Sequence, residues 1–217
     1  MHDTSEKNAH RFIINYVKNE EGKTIVDIGS QVIGGQFSMR NIVPPNVKYI
    51  GLDFQTGNNV DIVLEDAYVY PFEDNSVDYV ISSSCFEHSE FFWLSFLEIM
   101  RILKPGGLFY LNAPSNGAFH RYPVDCWRFY PDSALALSKW AKRNGHDCTV
   151  IEQFTSLKEQ DIWFDYVAVF VKGEEHIKDY PKRIMDEFDH YVNGSKYPEI
   201  EKFQNDFMMI NISPNPF

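Results

Sequence analysis

Short apolar runs alternate with polar turns along most of the chain, and the runs fall into two lengths. TIVDIG (24–29), KYIGLD (48–53), DIVLEDA (61–67), SVDYVISSS (76–84) and GLFYLNAP (107–114) have the length and β-branched content of buried strands. FFWLSFLEIMRIL, from Phe91 to Leu103, is long enough for a covered helix, and the KPGG that follows is a stop signal leading into the fifth strand. PDSALALSKWAKRNG predicts a second helix over 131–143, closed by Asn144 and Gly145. At the front, KNAHRFIINYVKNE (7–20) sets Phe12, Ile13, Tyr16 and Val17 on one side of a short amphipathic helix. CTVIEQF and WFDYVAVFVKG read as an antiparallel hairpin at one edge of the sheet, and 181–191 as a final short helix. The tail FMMINISPNPF has no firm period and suits surface packing or a contact within a homodimer.

Alternating strands and helices predict an α/β fold: a mostly parallel, Rossmann-like sheet with helices on both faces and an antiparallel C-terminal hairpin. With 217 residues, one domain over 1–217 is the simplest division, residues 173–217 forming an extension packed on it. An apolar content of 44% is enough for a substantial core. The net charge of −11 argues against a large nucleic-acid footprint. MHDTSEKNAH lacks the cationic start and apolar run of a secretory signal, and no apolar run is long enough to span a membrane, so a cytoplasmic protein is expected. Cys85, Cys126 and Cys148 have no CxxC spacing, and neither a metal site nor a disulfide framework is expected.

Open parallel sheets bind ligands beyond the carboxyl ends of their strands. There, Gly29 in DIGSQVIGG can bring backbone amides close to a ligand. Asp53, at the end of the next strand, is placed to accept hydrogen bonds from a ribose diol. The bulky Val32 and Ile33 and the absence of GxxxxGK[ST] disfavour a dinucleotide or a phosphate loop.

With these features in order, residues 20–172 resemble the class I methyltransferases that use S-adenosylmethionine. The resemblance matches Gly29 in VDIGS to the family's first glycine, Asp53 in YIGLD to its ribose ligand, and Asp66 with Ala67 to the segment meeting the adenine. It extends to SVDYVISSSCFEH as the lining of the methionyl side and to RILKPGG as the exit from the preceding helix. The cofactor residues it implies are Asp27, Gly29, Ser30, Gln31, Asp53, Phe54, Asp66, Ala67, Ser83 and Ser84. The chain departs from the family where the second and third glycines fall on Gln31 and Ile33, so its loop takes another path.

HRYPVDCWRFYPDSA (120–134) follows the fifth strand and opens on the same edge. Arg121 and Arg128 suit carboxylate or phosphate oxygens, and Tyr122, Trp127 and Phe129 offer flat surfaces to a sugar ring or aromatic acceptor. Asp125 accepts from an acceptor hydroxyl, orients His120 or pairs with Arg128. The segment resembles the HxYPxDxWRF stretch of methyltransferases of bacterial polysaccharide pathways, which implies a carbohydrate acceptor. The resemblance to small-molecule methyltransferases also implies a histidine here that faces the methyl group and meets a tyrosine of an N-terminal lid, so that His88 in CFEH, with Tyr16 on a lid helix (1–20), competes with His120 as the proton acceptor; alternatively, His88 caps or buttresses the helix starting near Ser89. Glu87 reads as helix-end electrostatics or support. The resulting expectation is O-methylation of a small polar acceptor by His88, His120 and Asp125, with Tyr16, Arg121, Tyr122, Trp127 and Arg128 binding it. An N-methyltransferase and a noncatalytic S-adenosylmethionine-binding protein that recruits a partner are the alternatives.

Overall fold

The computed structural model describes residues 3–34, 37–159 and 162–205. Five strands, β1 (Lys23–Ile28), β2 (Val47–Asp53), β3 (Ile62–Val63), β4 (Val77–Ser83) and β5 (Leu103–Pro114), run parallel. Three more, β6 (Cys148–Ser156), β7 (Asp165–Lys172) and β8 (Tyr191–Lys196), are antiparallel to their neighbours. The order across the sheet is β3-β2-β1-β4-β5-β7-β6-β8. The direction of strand progression reverses between β1 and β4, the position at which such sheets open a crevice at their carboxyl ends.

Two-residue alternation divides the core into two layers. On β5, Phe109 and Leu111 face one apolar cluster while Leu108 and Tyr110 face the other; on β7, Tyr166, Ala168 and Phe170 oppose Val167, Val169 and Val171. The first layer is covered by α2 (Phe92–Ile102) and α3 (Asp132–Arg143), which bury Phe96, Ile99 and Met100, and Ala134, Leu137 and Ala141, at helical spacing. The second is covered by α1 (Asp3–Tyr16) through Ala9, Phe12, Ile13 and Tyr16, together with Ile177, Ile184 and Met185 from short 3-10 turns. Strands with both faces covered read as continuous apolar runs, which is why they stand out in the sequence.

Two expectations change. The first helix spans Asp3–Tyr16, earlier than the 7–20 pattern, because Thr4, Ser5 and Asn8 are buried polar residues that hydropathy does not register. The hairpin of β6 and β7 is not an edge, since β8 pairs with β6, and where a final helix was expected over 181–191 the 3-10 turn Ile184–Asp186 forms instead. YVNGSK carries little strand propensity and is held by pairing with β6 and by Gly194, where an added Cβ would lie 2.4 Å from the Tyr191 ring. Between β1 and β2 no α-helix occurs among the described residues; only the 3-10 turn Met39–Asn41 lies there. The tail 207–217, expected at the surface or in a homodimer contact, lies outside the described residues.

Candidate active site

A cleft of about 740 Å³ opens beyond the ends of β1, β2, β4 and β5. At its first wall the chain turns at Gly29 with φ 77°, and an added Cβ would lie 2.5 Å from the Cys85 sulfur. Only glycine meets both conditions. The Gly29 and Ser30 amides donate to the Leu52 carbonyl, and the Gln31 amide donates to Asp53 Oδ2 at 3.2 Å. Asp53 Oδ1 accepts from the Gln55 amide, leaving each carboxylate oxygen a further acceptor position toward the cleft.

The described part of the connection from β1 to β2 is organised around Asn59, which tolerates its φ of 74° as asparagine does. Its amide nitrogen donates to the Ser30 carbonyl and the Tyr49 hydroxyl, and its side-chain oxygen accepts from Ser38 and Arg40. Arg40 also reaches Asp61, whose carboxyl is held below its ordinary range although burial opposes this, by the Gly51 amide and the Arg40 guanidinium. The loop is thus tied sideways onto the β2–β3 connection. Without a helix N-terminus, it lacks the aligned amides that bind pyrophosphate.

Burial pushes the Asp27 carboxyl up to about 7, against the hydrogen bond it accepts from Tyr49. Ser83 Oγ, at the end of β4, is buried without a hydrogen-bond partner. At the far end of the cleft, Glu87 and His88 occupy a 3-10 turn, Phe86–His88. Burial raises the Glu87 carboxyl to about 8, and its Oε2 has no partner. His88 Nδ1 faces the Val124 carbonyl, so that nitrogen carries the proton and Nε2 keeps its lone pair. Burial also lowers the His88 pKa, keeping the ring neutral at pH 7. The His120 ring stands edge-on to it, centroids 5.0 Å apart, and packs on Trp163 at the same separation.

Of the residues singled out from sequence, Asp27, Gly29, Ser30, Gln31, Asp53, Phe54, Ala67, Ser83 and Ser84 line this cleft together with His88, His120, Arg121 and Tyr122. Five do not. Asp66 is exposed beside the lining and accepts from the Tyr68 amide. Tyr16 is 1% exposed on the other face of the sheet, where its hydroxyl donates to the buried Glu152. That burial holds α1 as a covering helix and removes the lid expected over 1–20. Trp127 packs against Phe92 and Trp93 and donates to the Ser89 carbonyl. Arg128 grips both oxygens of Asp125, at 2.6 and 2.9 Å, and holds that carboxyl down at about 2. Asp125 is therefore no proton acceptor, and Arg128 is occupied.

Asn59, Tyr49 and Trp163 were missed, since polar and aromatic residues in loops give no periodic signal. Of the two readings of Glu87, helix-end electrostatics fails because α2 begins at Phe92; Glu87 is 1% exposed, and its carbonyl supports the following loop by accepting from the Cys126 and Trp127 amides.

Residues 25–111 match a protein family described as a methyltransferase domain. Over 101 residues the chain is 36% identical to phosphoethanolamine N-methyltransferase 2 of Caenorhabditis elegans, covering 40% of this chain and 22% of that protein. A methyltransferase of Mycobacterium marinum is 28% identical over 141 residues, 58% of this chain and 52% of the relative. The chain thus spans about half or less of these relatives. Among solved structures, the Burkholderia thailandensis 1,6-didemethyltoxoflavin-N1-methyltransferase, with 1,6-didemethyltoxoflavin and S-adenosylhomocysteine bound, superposes with a TM-score of 0.60. It is 11% identical, over 78% of this chain and 79% of that one, and the likeness is one of fold: the Rossmann-like methyltransferase fold.

Proposed function

From a chain whose residues 25–111 match a methyltransferase domain and whose sheet has the methyltransferase fold, we infer an S-adenosylmethionine-dependent methyltransferase acting on a small polar acceptor. The reading is carried by one observation: Asp53 and Gly29 on one wall and neutral His88 with His120 at the far end line a single cleft. Bound there, S-adenosylmethionine supplies an electrophilic methyl group on a sulfonium. The donor set suits it. Asp53 accepts from ribose hydroxyls, the unpartnered Ser83 Oγ gains a polar partner, and Asp27 offers negative charge as it ionises near pH 7.

A hydroxyl acceptor must shed its proton, and His88 Nε2 is the neutral base available at the far end. Arg121 and Tyr122 border that end; Arg121 spends only its Nε on the Pro123 carbonyl, leaving the rest of the fork for an anionic group. These features favour O-methylation of a sugar or nucleotide-sugar derivative. Two N-methyltransferases, one similar over part of its sequence and one similar in fold, favour nitrogen methylation as the second reading. A panel of sugars, sugar nucleotides and small amines incubated with methyl-labelled S-adenosylmethionine separates the readings. Label on a hydroxylated compound is expected; label on amines alone would replace oxygen with nitrogen, and no transfer to any compound would overturn the reading.

A further inference from the structure

Glu87 is a buried carboxylate lining the cleft: its side chain is 2% exposed, its Oε2 makes no protein hydrogen bond, and its Oε1 lies 3.7 Å from His88 Nε2, beyond hydrogen-bond range. A carboxylate buried beside two imidazoles is ordinarily paired with a cation or bound to a metal. We propose that Glu87, His88 and His120 form a binding site for a divalent transition metal at the acceptor end of the cleft. One ligand atom from each lies within 4.8 Å of the others. Bonds to zinc-like ions are about 2.0 to 2.2 Å long, so the donors must draw in by roughly an ångström. His120, 40% exposed, sits on a loop that can supply the movement.

The surroundings are those of metal-binding imidazoles, whose second nitrogen is held by a carbonyl or carboxylate. His88 Nδ1 meets the Val124 carbonyl. His120 Nδ1 meets the Ala118 carbonyl at 3.1 Å and Asp125 Oδ2 at 3.4 Å, with Asp125 itself fixed by Arg128. His88 therefore offers Nε2, and so does His120 in the tautomer whose Nδ1 donates to Ala118, a nitrogen that also lies 3.5 Å from an Arg128 Nη2. Two imidazoles and one carboxylate favour zinc, manganese or cobalt over magnesium, which prefers oxygen ligands. Three protein ligands leave coordination positions open, the pattern of catalytic rather than structural sites.

The role of the ion rests on the methyl-transfer reading. An acceptor hydroxyl in an open position would release its proton to water more readily, since the ion stabilises the resulting oxyanion. The oxygen's lone pair then forms the C–O bond as the C–S pair returns to sulfur. With the ion bound, the His88 lone pair is a ligand, and His88 serves as proton acceptor only in the ion-free protein. No spacing along the chain signals this site, because Glu87 and His88 reach His120 only through the loop packing onto their turn.

The test is a Co²⁺ titration of the full chain, without an affinity tag and stripped with EDTA, followed by visible absorption. One saturable equivalent, displaced by Zn²⁺, is expected. His120→Ala, at a partly exposed position that spares the core, should weaken binding at least about tenfold. His176→Ala, which alters the surface histidine beside Glu175 and Asp179, should leave it unchanged. No binding tighter than millimolar, or binding that survives His120→Ala, would overturn the site. Calorimetry with S-adenosylhomocysteine on the stripped protein reads the cofactor separately: its binding without Co²⁺ binding overturns the metal site alone, whereas Co²⁺ binding without it overturns the methyl-transfer reading.

Discussion

Asp27, Glu87 and Asp125 carry related side chains into one cleft or its wall, and their surroundings give them different chemistry. Asp125 meets a guanidinium fork and is held ionised, while burial raises Asp27 and Glu87 toward neutrality. The sequence showed the arginine three residues after Asp125 but not whether the pair would close on itself or on an acceptor. For Asp27 the consequence is measurable. Its carboxyl moves from an ordinary 3.8 to about 7 in the folded protein, so the folded state holds the proton more tightly than the unfolded one. The stability this gives is full below pH 4 and is lost as pH rises to 7, a change on the order of a few kcal/mol. Asp27→Asn should remove that slope. Thermal unfolding of both proteins from pH 5 to 8 checks it, and parallel profiles would count against a buried, proton-binding Asp27. At the acceptor end, His88→Ala should lower turnover by about 10² to 10⁴-fold with cofactor affinity nearly intact; near-normal single-turnover rates would remove His88 from the chemistry.

The loop after β1 and the loop after β5 are the two elements that make the cleft, and neither has a period to read. What was legible was a single backbone requirement, Gly29, and the misfit of Gln31 and Ile33 with the usual glycines; the Asn59 hub that organises the described part of the first loop was not. Gly29→Ala should cost about 1 to 3 kcal/mol from its left-handed backbone alone, more as Cys85 is displaced, a loss that denaturant titration reads. Stability unchanged within experimental error would show that this turn relaxes. In the second loop, Arg128→Lys preserves charge but loses the fork holding Asp125. Faster hydrogen exchange over residues 118–128 with unchanged S-adenosylhomocysteine affinity is expected. A selective rise in acceptor KM with unchanged exchange would return Arg128 to acceptor binding.

Across the whole molecule, the five parallel strands, α2 and α3 were legible because both sheet faces are covered and hydropathy reports that directly. β8 was not, since its residues are ordered by pairing with β6 rather than by their own propensity. Tyr16 shows the same limit from the other side: an aromatic on an amphipathic helix fits a lid or a core, and only the buried Glu152 behind it decides for the core. The topology, in turn, brings Asp53 from β2, Ser83 from β4 and His88 from the turn after it to one edge, and the account stands on that convergence. Calorimetric binding of S-adenosylhomocysteine to wild type and to Asp53→Ala tests it most directly. One equivalent should bind wild type, and the variant, folded by circular dichroism, should bind about 1 to 3 kcal/mol more weakly. No binding to wild type at millimolar ligand, or equal affinity in the two proteins, would contradict it.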